Sequence, residues 1–181
     1  FHKKLPTDLQ SKDLTAFLPE VEAFTLNELL PTLSKGWNIE ADKKKEVTKK
    51  LARYIGLSET AVTQQNLEIP FDFFWKELLR DQGKTVGRLD SRYIGIDKLD
   101  AGDNPDYNAE LTSWEHSFTP AINMYLRDEL GYKTDLNYYI FGPTFPWDNT
   151  NNHTGDDLRQ AMMQNPYLHL LVQSGYYDGA C

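Results

Sequence analysis

Leu168-His169-Leu170-Leu171-Val172-Gln173-Ser174-Gly175-Tyr176-Tyr177-Asp178 is the stretch that decides how this chain is read. Its first half is nearly continuous in apolar residues. That is how an interior strand of a parallel sheet reads, because such a strand is buried on both faces. Ser174 and Gly175 then turn the chain, and an acid stands where the strand's carboxyl edge would be. Open α/β sheets keep their chemistry at that edge. Asp178 therefore has two readings. It is an acid that orients a histidine and stabilises its imidazolium, or a turn aspartate bonded to its own backbone. The pattern alone favours the turn.

A strand of this kind needs neighbours on both sides. Upstream, Tyr138-Tyr139-Ile140-Phe141 is the one other convincing strand candidate, so the chain is expected to be a segment of a longer protein. Between the two, residues 142–157 read as a loop. Asp156 or Asp157 caps a helix through Met163, which Asn165-Pro166 stops.

The first two thirds read as helices. Leu14, Phe17, Leu18, Val21, Phe24, Leu26, Leu29, Leu30 and Leu33 recur at spacings of three and four, with Asp13 as N-cap. Pro19 and Pro31 predict two helices or a kinked one. Residues 42–54 form a helix with Val47, Leu51, Tyr54 and Ile55 on its apolar side, and Gly56 ends it. A short helix starts at Ser58. Another covers residues 69–82, with Phe71, Phe74, Trp75, Leu78 and Leu79 as its stripe. Residues 85–94 read as extended, 97–110 as an acidic loop, and Thr112 or Ser113 caps a helix to about Leu130.

Composition excludes several classes. The chain has 181 residues, 40% of them hydrophobic, which is enough for a core and rules out low-complexity disorder. No apolar run approaches the roughly 20 residues that span a bilayer. The net charge of −8 argues against nucleic acid as a partner. The single cysteine, Cys181, allows no intrachain disulfide and no cysteine zinc site. The chain begins at Phe1, and no signal-like segment is visible. Asn152-His153-Thr154 is a lone glycosylation sequon.

The chemistry-bearing motifs are few. No Gly-x-Ser-x-Gly elbow occurs, and no histidine follows Asp178, so the order Ser, Asp, His cannot be completed here. His116 follows Glu115, but His-Glu-x-x-His is missing. The spacing of Asp100, Asp103 and Asp106 does not fit a calcium loop and reads as a solvated acidic loop. No metal and no cofactor is expected. His153 reads as loop dressing and His169 as a packed histidine. Lys43, Lys44, Lys45, Lys49 and Lys50 read as a solvated helix face. Phe73, Trp75, Tyr138, Tyr139 and Trp147 are candidates for an apolar substrate pocket, although most aromatics serve a core. Arg88, Asp90 and Arg92 form either an ion-pair latch or a grip for a carboxylate, the latch being slightly favoured.

Three further stretches carry a resemblance. They are Gln82-Gly83-Lys84-Thr85-Val86-Gly87-Arg88-Leu89-Asp90-Ser91-Arg92, Tyr125-Leu126-Arg127-Asp128-Glu129-Leu130-Gly131-Tyr132-Lys133 and Leu158-Arg159-Gln160-Ala161-Met162-Met163-Gln164-Asn165-Pro166. With the closing Ser174-Gly175-Tyr176-Tyr177-Asp178, the chain resembles bacterial members of the serine carboxypeptidase family from His2-Lys3-Lys4-Leu5 to its last residue. The resemblance implies a mainly α-helical cap followed by a short α/β piece of an α/β-hydrolase core. Residues 1–12 would connect from that core, 13–150 would form the cap, and 151–181 would return to the core. It implies Asp178 as the triad acid, with the serine upstream of Phe1 and the histidine downstream of Cys181. It implies a peptide substrate with a free C-terminus and a secreted or periplasmic protein. Acyltransferases and lyases share the fold. A non-catalytic helical peptide-binding module is the reading from a different class. No signal speaks to the oligomeric state.

Overall fold

The computed structural model describes residues 1–142, 146, 148–150, 152 and 154–180. They form a mainly helical protein with one two-stranded sheet. The chain divides into two compact units, Phe1–Glu110 with Tyr177–Ala180, and Leu111–Tyr176.

The first unit opens with α1 (Thr7–Gln10) and α2 (Leu14–Phe24). Asp13 caps α2 as expected, accepting a hydrogen bond from the Thr15 N–H at 3.1 Å. Pro19 lies inside α2 without ending it. The helical path continues through a wide π turn at Thr25–Leu29 into α3 (Leu30–Leu33). Pro31 cannot donate to the preceding turn and its ring crowds the carbonyl there. The π turn widens the helix at that point, so the expected break becomes a bulge.

Helix α4 (Ala41–Ile55) buries Val47, Thr48, Leu51 and Ala52, a three-and-four spacing on one face. Its lysines pair outward. Lys50 reaches Glu28 at 2.6 Å and Glu46 at 2.9 Å, and Lys43 reaches Glu46 at 3.0 Å. Gly56 closes the helix at φ +75°, in the left-handed region that glycine enters without penalty. Helix α5 (Glu59–Gln64) starts under the Ser58 hydroxyl, which accepts from the Ala61 N–H at 3.0 Å. It packs on α4.

Helix α6 (Phe71–Glu77) is followed by a 3₁₀ turn at Arg80–Gln82, which divides the single helix expected over 69–82. α6 packs on β1 (Thr85–Val86), and β1 pairs antiparallel with β2 (Ile94–Gly95), Val86 facing Ile94. The core of this unit gathers Phe24, Val47, Leu51, Val62, Leu67, Phe73, Trp75, Leu79 and Val86.

The acidic loop after β2 is tied down by a buried ion pair. Lys76 Nζ lies 2.6 Å from Asp97 Oδ2 and donates to the Leu99 carbonyl at 2.5 Å. Asp97 Oδ1 accepts from the Asp106 N–H at 3.0 Å, and Arg80 donates to the carbonyls of Asp100 and Gly102.

The second unit holds α7 (Leu111–Met124), a π turn at Tyr125–Glu129 and α8 (Thr154–Gln164). Gln164 ends α8 where Asn165-Pro166 predicts a stop. Two strand expectations are corrected here. Residues 138–141 and 168–173 carry no strand among the described residues, and Leu170, Leu171 and Val172 are exposed. An apolar run makes a strand only when a neighbour completes its ladder of backbone hydrogen bonds. Neither run finds one. Among the described residues the only sheet lies at residues 85–95, so an α/β-hydrolase core is not displayed.

Candidate active site: the turn that carries Asp178

The loop between β1 and β2 is braced internally. The Gly87 N–H donates to the Tyr93 carbonyl at 3.0 Å, and the Tyr93 N–H donates to the Asp90 carbonyl at 3.1 Å. Asp90 accepts from the Arg92 backbone N–H at 3.0 Å and from its guanidinium at 2.8 and 2.6 Å. This two-pronged bond from Arg92 holds the Asp90 carboxyl below its ordinary range, and Asp90 in turn raises the Arg92 guanidinium. Arg88 is exposed and makes no ion pair among the described residues. The three residues thus do not form one grip. Two of them latch to each other.

Residues 177–180 lie on this loop. The Ser91 N–H donates to the Tyr177 carbonyl at 2.9 Å, and the Gly179 N–H donates to the Arg88 carbonyl at 2.9 Å. Asp178 is the residue between those two bonds. The Arg92 guanidinium sits 4.9 Å from the centre of the Tyr177 ring. Gly179 rests on the Trp75 indole so closely that a Cβ there would come within 2.7 Å of Cζ2. Asp178 is half-buried, and its Oδ1 accepts from the Ala180 N–H at 2.8 Å. This is an Asx turn, an aspartate bonded to its own backbone two residues on.

A cleft of about 490 Å³ opens beside Tyr177. Leu5, Leu9, Phe17, Phe74 and Leu78 line it, with His2 at its edge. His2 Nε2 donates to the Ser91 carbonyl at 2.6 Å, since a carbonyl can only accept. The volume suits a small ligand or a single large side chain.

The aromatic pocket candidates fall in different places. Phe73 and Trp75 are each 6% exposed and belong to the core of the first unit. Tyr138 and Tyr139 line a cleft of about 500 Å³ in the second unit, with Thr119, Asn123 and Arg127. Trp147, like His153 and Cys181, lies outside the described residues. No group of three metal-ligating side chains occurs among the described residues.

Sequence reasoning missed His2 and Glu110. Glu110 is fully buried, and its Oε1 accepts from the Leu89 N–H at 3.0 Å. It closes the acidic run read as a solvated loop, and nothing in the local pattern separates it from the exposed acids Asp100, Asp103 and Asp106. No family model, no curated protein and no solved structure matches the chain.

Proposed function

We propose that the chain is a segment of a serine-type carboxypeptidase in which Asp178 is the acid of a Ser-Asp-His triad. The observation that carries this reading is the bracketing of Asp178 by two backbone hydrogen bonds, each 2.9 Å, from one braced loop. A triad acid has to hold an imidazole in one tautomer and one orientation, which a freely moving turn does not do. The resemblance of the motifs around residues 82–92, 125–133, 158–166 and 174–178 to serine carboxypeptidases supplies the reaction class.

In this mechanism a serine outside the assigned residues attacks the last peptide carbonyl. A histidine takes the serine proton and delivers it to the leaving amino acid, and water then releases the acyl group by the reverse transfer. Asp178 orients that histidine and stabilises its charged form. The helices of residues 13–150 act as the cap of an α/β-hydrolase fold, closing over the peptide and excluding water. The substrate is a peptide with a free C-terminus, and the protein is secreted or periplasmic.

The test uses the complete gene-encoded protein and a blocked dipeptide. Asp178→Asn should lower kcat about 10⁴-fold, the scale of losing tautomer control in a triad. Turnover undiminished in Asp178→Asn would refute the assignment. Saturable peptide binding without turnover in the wild type would make the chain a binding module instead.

A further inference from the structure

We propose that Glu110 is a positioning residue that fixes Asp178 through the loop of residues 87–92; this rests on the triad-acid reading of Asp178. Glu110 is 0% exposed, and its Oε2 is a buried oxygen with no hydrogen-bond partner among the described residues. Burying a carboxylate oxygen without a partner is unfavourable, so a fold optimised for stability alone would place a different side chain there.

The position of Glu110 in the bonding chain gives it a role. Its Oε1 holds the Leu89 N–H at 3.0 Å. Leu89 lies between Arg88 and Ser91, whose carbonyl and amide make the two bonds that bracket Asp178. Glu110 thus anchors the middle of the segment on which the acid-bearing turn rests. Gly87 completes the arrangement. A Cβ at that position would overlap Glu110 Oε2 and come within 2.5 Å of the Asp90 carbonyl oxygen. Only a residue without a side chain lets the carboxylate reach under the loop. Asp90, Arg92 and Tyr177 brace the same segment from its outer side.

Glutamine is the conservative replacement, because it keeps the length of the side chain and the oxygen that accepts from Leu89. Its amide oxygen can accept from the Leu89 N–H at the same reach. Alanine removes the anchor. Aspartate keeps the charge but falls one methylene short of Leu89.

The experiment pairs kinetics of the gene-encoded protein with amide hydrogen exchange on this chain. Glu110→Ala and Glu110→Asp should lower kcat by about 10- to 100-fold with KM within about twofold, because a displacement near 1 Å at the reacting centre has that scale. Glu110→Gln should return kcat to within about threefold of wild type. Exchange at the Ser91 and Gly179 amides should rise about tenfold or more in Ala and Asp and stay near wild type in Gln. Glu110→Asp, which only shortens the side chain, serves if Glu110→Ala fails to fold. Faster exchange at Leu89 alone, with Ser91 and Gly179 unchanged, would overturn the proposal. So would unchanged kcat in folded Glu110→Ala. A wild type without turnover sinks the carboxypeptidase reading instead, and Gly179 exchange then decides by itself whether Glu110 holds the turn.

Discussion

Breaking the Lys76–Asp97 pair is the sharpest test of what holds the first unit together. Both side chains are 3% exposed, with Nζ 2.6 Å from Oδ2. Lys76 has the Leu99 carbonyl as a second partner, and Asp97 has the Asp106 N–H. Removing one member of a buried pair costs about 3–5 kcal/mol, since the other charge stays buried and uncompensated. Asp97→Ala should fall at the upper end, because it leaves the ammonium with one carbonyl and also strands the Asp106 N–H. Lys76→Met should fall at the lower end, because Asp97 keeps that N–H. The double variant Lys76→Met with Asp97→Leu removes both charges and should lose less than either single change. Urea unfolding followed by far-ultraviolet circular dichroism and tryptophan fluorescence reads the effect. At about 1–3 kcal/mol per molar of urea, a 3 kcal/mol loss lowers the midpoint by about 1–3 M. Single variants within about 0.3 M of wild type, or a double variant whose loss equals the sum, would refute this account of the pair.

Three smaller effects should accompany it. Ser58→Ala removes the acceptor for the Ala61 N–H and should cost about 1 kcal/mol by the same urea assay, with no loss if the cap is idle. Gly56→Ala places a Cβ 3.0 Å from Lys4 Cβ at φ +75°, and should lower stability by about 1–2 kcal/mol; a gain would mean the backbone there relaxes freely. Asp90 titrates below its ordinary value of 3.8, foremost because Arg92 bonds it, so its contribution is present above that value and is lost as pH falls through the lower folded value. Asp90→Asn should therefore lose less stability than wild type between pH 5 and pH 2, and parallel acid-unfolding curves would contradict the bond.

The helices were legible in the sequence, and the two-stranded sheet was legible as the extended stretch over residues 85–94 but not in its pairing, for physical reasons. Helical hydrogen bonds close within four residues, so the spacing of Val47 and Leu51, the hydroxyl of Ser58 and the glycine at Gly56 define α4 and α5 locally. The π turn at Thr25–Leu29 escaped because proline predicts trouble in a helix without saying how the helix absorbs it. The apolar runs at 138–141 and 168–173 carry strand composition, but pairing is a property of two segments, and their partners were not in the pattern. The candidate site divides the same way. Asp178 stands out by its place after an apolar run. Its support by Ser91 and Arg88 joins residues nearly ninety positions apart, which no local motif encodes. The latch of Asp90 and Arg92 was readable because both ends lie two residues apart.

The apolar run Leu168 to Val172 has a consequence for handling the protein. It holds no proline and no Asp, Glu, Lys or Arg, and its apolar side chains stand in solvent. With no strand partner among the described residues, such a segment can pair with an identical one nearby. Copies stacked in register would bury Leu170 and Val172 against themselves in a dry cross-β interface. Stacking of this kind grows with concentration, which should then limit how much of this chain stays in solution. A lysine at Leu171 would place like charges face to face in every such stack and should raise that limit without touching the Asp178 turn.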